Sequence, residues 1–274
     1  MGFKVYDSEM NEVRLPGDTY LHYGSYPLKL EISGFDYEKR GRKTVVTGRQ
    51  ALIRGFIISS DPIDMDMKMS NVYAFFRRLG EFYVAKESEP FKLLKVEANQ
   101  SYTLESENNG VLTEFEIPLT VQKPYFKQSL HTTLDIDSEG IRFNDKWGYG
   151  MGLSSDSGQW KYSFINTDPY FYNAGTEEVK LIKQKESEIT LIFNGSTLNG
   201  LVDIDDGITT FKLFRNVVAG DVLRIKGHQI TLNGDNVAGD TNRQFLTVKR
   251  GWNNWDVRGV TDFEFKIDYR YLYD

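Results

Sequence analysis

Phe263-Glu264-Phe265-Lys266-Ile267-Asp268-Tyr269 alternates apolar and polar side chains without a break. A period of two sends successive side chains to opposite sheet faces, so this stretch reads as a half-buried strand. The same alternation occurs in Leu28-Lys29-Leu30-Glu31-Ile32 and in Phe115-Glu116-Ile117-Pro118-Leu119-Thr120-Val121. Asn-Gly pairs in Asn108-Asn109-Gly110, Phe193-Asn194-Gly195-Ser196 and Leu232-Asn233-Gly234-Asp235 suit the positive φ of hairpin turns. Short strands punctuated in this way predict sandwiches or barrels. The fold class is mainly β.

One segment breaks the pattern. Met65, Met69, Val72, Phe76 and Leu79 fall three and four apart and build one stripe, which Phe75 widens. Asp61, Asp64 and Asp66 stand at its start, Arg77 and Arg78 in its last turn, and Gly80 follows. Those charges complement the helix dipole and the glycine suits a helix stop, which predicts a helix over about residues 65–80.

The 274 residues are 40% apolar and 14% aromatic, which excludes a disordered chain and supplies packed cores for one or two domains. A boundary is expected near residues 125–131, where Pro124-Tyr125-Phe126-Lys127-Gln128 follows a strand and composition changes. All four tryptophans lie beyond it. Residues 1–128 carry 17 basic and 18 acidic side chains and residues 129–274 carry 16 and 21, so the second part holds most of the net charge of −6. That balance argues against a general nucleic-acid binder. No apolar run approaches the ~20 residues of a membrane helix, and the N-terminus lacks the apolar core of a signal peptide. Zero cysteines exclude disulfides, a thiol nucleophile and the usual structural zinc sites. A soluble protein made in a cytoplasm is expected.

Catalytic constellations are absent from the pattern. His22, His131 and His228 are widely spaced with no metal-binding interval, no serine sits in a Gly-x-Ser-x-Gly elbow, and no phosphate loop ends in Gly-Lys-Ser or Gly-Lys-Thr. Asp135-Ile136-Asp137-Ser138-Glu139-Gly140 opens like a calcium loop, but its twelfth position is Lys146 where a bidentate Glu is needed. It reads as a solvated turn between strands. Asp203-Ile204-Asp205-Asp206-Gly207 reads as a strand end running into a turn. Asp36-Tyr37-Glu38-Lys39-Arg40-Gly41-Arg42-Lys43 reads as a solvated hairpin arm, of a kind that can make contacts between subunits.

Trp252-Asn253-Asn254-Trp255 has two readings. Trp252 and Trp255 are candidates to stack on sugar rings, with the asparagine amides binding hydroxyls. Alternatively both tryptophans close a sandwich edge, which their usual burial favours.

The order of features resembles the distal tail (Dit) proteins of long, non-contractile-tailed bacteriophages. Gly41-Arg42, Arg49 to Ile58, the helix with Phe75 to Leu79, and Phe82-Tyr83-Val84 fit the first domain of that family. Asn166-Thr167-Asp168-Pro169-Tyr170-Phe171-Tyr172, the turn Asn173-Ala174-Gly175-Thr176-Glu177-Glu178, Leu201-Val202-Asp203-Ile204-Asp205 and the closing Tyr269-Arg270-Tyr271 fit the second. The resemblance implies a belt domain at residues 1–128, six copies of which form a ring, and a galectin-like β-sandwich at residues 129–274 that projects outward. It implies a structural virion protein at the phage tail tip, assembled in the bacterial host cytoplasm, that joins the tail tube to the baseplate and lets DNA pass. Its partners would be further copies of itself, the major tail-tube protein, a tail-tip hub or tail-associated lysin, and a receptor-binding protein. It implies no catalytic residue, metal or cofactor, no sequence-specific nucleic-acid contact and no membrane insertion. Net negative charge repeated around a ring would keep a DNA channel slippery. Two rival readings are a carbohydrate-binding adhesion module, motivated by Trp252 and Trp255, and a cell-wall glycoside hydrolase, motivated by abundant carboxylates.

Overall fold

In the computed structural model, residues 2–16, 28–100, 102, 112–144, 146–154 and 160–274 are described. The Asn108-Asn109-Gly110 turn and His22 lie outside them. The fold is mainly β, and the chain divides into two compact units, Met1–Lys127 and Gln128–Asp274.

In the first unit, β1 (Phe3–Tyr6), β2 (Glu12–Val13), β5 (Glu81–Lys86) and β6 (Lys92–Glu97) form one half-sheet. β3 (Lys29–Arg40), β4 (Lys43–Ile58) and β7 (Leu112–Val121) form the other. The halves join where Val96 and Glu97 of β6 pair with Val121 and Thr120 of β7. Apolar residues of both halves, such as Phe82 and Val84 on one and Ile53 and Ile117 on the other, share one core. The alternating residues 115–121 follow the expected period, with Phe115, Ile117, Leu119 and Val121 buried.

The helix α1 runs from Pro62 to Leu79. Its first turn is set by Asp61, whose carboxylate accepts from the Asp64 N–H at 2.9 Å, and Pro62 fits a position that needs no backbone donor. Gly80, at φ 60°, ends it. Met65, Val72 and Phe76 are buried, and Met69, Phe75 and Leu79 pack at the margin of the core. The predicted stripe is the packed face.

In the second unit a six-stranded sheet runs β17 (Asp235–Asn236), β16 (Gln229–Leu232), β15 (Val222–Lys226), β12 (Glu188–Phe193), β21 (Phe263–Asp268), β9 (Ser163–Ile165). A three-stranded sheet runs β14 (Thr210–Leu213), β13 (Val202–Asp205), β20 (Asp256–Arg258). Smaller antiparallel pairs join β10 (Tyr170–Asn173) to β19 (Gly251–Asn254) and β11 (Val179–Lys180) to β18 (Thr247–Val248). β8 (Lys127–Ser129) pairs with β22 (Leu272–Tyr273). Aromatic rings tie the layers together: Trp255 meets Phe171 at 5.3 Å and Phe265 at 6.1 Å. Tyr162, Tyr269, Tyr271 and Tyr273 complete this core, and burial pushes their phenols well above the usual range, so they stay protonated. The Tyr162 hydroxyl donates to the Tyr172 carbonyl at 2.8 Å and is free to accept from Tyr271.

Two expectations fail here. Asp135–Gly140 is not a solvated turn. Thr133–Glu139 form a short helix, α2, in which the Asp135 carboxylate accepts from the Thr132 N–H at 2.8 Å to close a capping box. Asn194-Gly195 is no hairpin turn either: neither residue has positive φ, and the chain leaves β12 for β13 in the other sheet. Asn233-Gly234, with φ of 55° and 92°, is the two-residue turn that joins β16 to β17.

Candidate functional site

Two exposed features stand out, one in each unit. In the first unit β4 pairs with β7 from Gln50 to Ile58, and among the described residues its positions before Gln50 pair with β3 alone. That leaves a two-stranded arm, as the charged segment 36–43 predicts. Gly41 at φ 66° opens the two-residue turn at its tip. The root of the arm is pinned by Phe35, which packs against Phe126 at 5.0 Å and lies under the Arg49 guanidinium at 4.4 Å. Beyond it, Tyr37 is 62% exposed and sits opposite Val46 in the register.

In the second unit the β10–β19 pair carries the aromatic feature. The register sets Tyr172 opposite Trp252 and Tyr170 opposite Asn254. Tyr170 and Trp252 stack with centroids 4.6 Å apart and planes 2° apart, and Tyr172 meets Trp252 edge-on at 5.1 Å. Trp252 remains 46% exposed and Tyr170 54%. Trp255 is wholly buried. The structure therefore separates the two candidate tryptophans: Trp255 belongs to the core, while Trp252 is half-exposed on the surface. Asn253 is also buried, its amide donating to the Lys249 and Gly251 carbonyls and accepting from the Lys249 N–H. Asn254, on the Trp252 face, is exposed.

Sequence reasoning missed the partners of Trp252, Tyr170 and Tyr172. The signal was available, because Tyr170-Phe171-Tyr172 alternates and so places both tyrosines on one face.

The acidic motifs are engaged by the protein itself. Asp137 accepts from the Tyr162 N–H at 3.0 Å, and Glu139 pairs with Lys146 at 2.7 Å. Asp205 accepts from the Gly207 N–H, and Asp206 from the Ile208, Thr209 and Thr247 N–H groups, so segment 203–207 is a strand end entering a turn, as predicted. Among the described residues no group of three or more His, Asp or Glu is placed to hold a metal ion. His131 lies against Trp147 and His228 against Phe245. In the first unit, burial opposes ionisation of Glu89, but hydrogen bonds from Lys127 at 2.8 Å and Lys92 at 2.9 Å outweigh it and hold the carboxyl down at about 2. No described helix is long and apolar enough to cross a membrane.

No family model matches the chain, and no curated protein matches it. Among solved structures, a protein of the phage P2 baseplate in its activated conformation aligns over 97% of each chain at 12% identity, with a TM-score of 0.38. The crystal structure of SPP1 Dit, described as a paradigm of hub adsorption apparatus in phages infecting Gram-positive bacteria, aligns over 99% of this chain and 100% of its own. The TM-score is 0.60 and the identity 8%. Over nearly its whole length, the chain shares the fold of that phage hub protein.

Proposed function

We propose that this chain is a structural component of a phage tail tip: a ring-forming hub that joins the tail tube to baseplate proteins. The observation that carries the reading is the end-to-end likeness of fold to SPP1 Dit, which extends through both units and not one alone. In this reading residues 1–128, the first unit to within one residue, are the belt whose copies, six by analogy, close the ring. Residues 129–274 are a galectin-like sandwich projecting from it. The arm supports the belt role, because an exposed two-stranded ribbon gains stability when a neighbour covers it. A head-to-tail contact repeated with a fixed rotation closes into a ring. The partners are then further copies of the chain, the major tail-tube protein, a tail-tip hub or lysin, and a receptor-binding protein, with assembly in the bacterial cytoplasm. The net charge of −6, multiplied around the ring, would let DNA pass without gripping it. The role needs no catalytic residue. Light scattering of the purified chain tests it: a single closed oligomer supports the hub, and a strict monomer at every concentration counts against it.

A second reading rests on one observation, the exposed Tyr170–Trp252 stack with Asn254 beside it. Aromatic faces bordered by amide and hydroxyl groups suit sugar rings. The second unit would then add host adhesion to the hub role. Binding on a glycan array that Trp252→Ala abolishes, with thermal unfolding unmoved, is the test.

A further inference from the structure

We propose that the arm of one copy docks on the exposed face of α1 in the next copy, so that Tyr37 seats against Ile63 and Met67 while Lys39 and Arg42 face Asp66. The inference rests on the ring reading and names the surfaces that would close it.

Among the described residues of the first unit, the three most exposed large apolar side chains fall in two places. One is Tyr37 on the arm. The other is on the outer face of α1, where Ile63 is 75% and Met67 63% exposed. Ile63 and Met67 are four residues apart and thus neighbours on the helix surface, with Asp66 in the same strip at a spacing of three from Ile63. This face is the reverse of the Met65–Val72–Phe76 stripe that the core requires, so folding of one chain does not explain its apolar residues.

The rims of the two patches carry opposite charge. Lys39 lies two residues beyond Tyr37 and so shares its ribbon face, and Arg42 stands in the tip turn. Asp66 is exposed beside Met67. Among the described residues none of these three has an ion-pair partner, whereas Arg40 is held by Glu38 at 2.9 Å and Lys68 by Asp64 at 2.7 Å. Of these three, the two cations are on the arm and the anion is near the N-terminal end of the helix, three turns from Arg77 and Arg78 in its last turn. Like copies bearing two different complementary patches associate head to tail. A methionine thioether against an aromatic ring is a favourable, adaptable contact. The occupant is therefore a second copy of this chain.

The absence of cysteine makes the test direct. Full-length Tyr37→Cys and Met67→Cys variants are prepared separately, mixed, and treated with a short bis-maleimide. The mixture is expected to give a covalent dimer that neither variant gives alone, and the double variant a ladder ending at a finite ring. Asp66→Lys is expected to lower the oligomeric fraction at least tenfold at limiting concentration, and Lys39→Glu with Arg42→Glu in the same chain to restore it. Rings in micrographs without the mixed cross-link would overturn this contact and leave the ring standing. Cross-links within one variant alone would show a two-fold contact and overturn it too. A chain that stays monomeric and yields no cross-link would overturn both the contact and the ring.

Discussion

Trp252 and Trp255 are three residues apart and face opposite sides of one β-layer: the first stacks on Tyr170 at the surface, the second is sealed in the core against Phe171 and Phe265. An odd spacing along an extended chain forces this separation, because side chains alternate between faces. One tryptophan is sealed in the core and the other is half-exposed.

Their substitutions should part accordingly. Trp255→Ala is expected to cost the second unit about 3–5 kcal/mol, the usual price of emptying a core aromatic site. Trp252→Ala should cost about 1 kcal/mol, the scale of one exposed aromatic pair. Thermal and denaturant unfolding followed by tryptophan fluorescence would check both. Equal losses would contradict the burial described here.

Phe76 is buried between α1 and β5, with its ring 5.7 Å from Phe82. Phe76→Asp places an unpaired carboxylate there, at several kcal/mol against a domain stability of about 5–15 kcal/mol. Loss of the first unit's folded signal, with the second unit's transition retained, is the expected result. An unchanged melting profile would mean that α1 does not pack on this face.

Glu89 gives the first unit a pH dependence of known sign. Its carboxyl is held at about 2 in the fold against 4.5 for the free group. The stabilisation it supplies is therefore complete above about pH 4.5 and is lost as pH falls toward 2. Glu89→Gln should lower stability at pH 7 by about 2 kcal/mol, the scale of hydrogen bonds to a charged group. It should also flatten the acid limb of the unfolding curve. An acid limb identical to that of the parent protein would remove Glu89 from the account.

Limited proteolysis of the folded chain should part it near residues 125–135 and release two stable β-rich pieces. The chain passes from one compact unit to the other between Lys127 and Gln128, within the three-residue strand β8. Cleavage confined to the termini would argue for a single cooperative body.

Periodicity carried most of the architecture. Strands with one wet face, such as β7 and β21, declare themselves by alternation, and α1 by its stripe, its Asp61 cap and its Gly80 stop. The helix α2 did not, because seven residues with only Thr133 and Ile136 buried cannot display a stripe, and its capping carboxylates look like loop ligands. Asn194-Gly195 and Asn233-Gly234 are identical as dipeptides. Only the second is followed at once by a strand that pairs back, and that partner is what fixes the turn. The arm was legible from its charge and glycine. The exposed side of α1 was not, since Ile63 and Met67 are apolar residues on a face that the core stripe leaves to solvent.

The proposed hub function requires copies of this chain to close into a ring. Negative-stain electron microscopy of the purified full-length protein tests it most directly. Closed rings of about six copies, with a central opening and blunt projections around the rim, are the expected result. A uniform field of isolated monomers, unchanged as the concentration is raised, would overturn it.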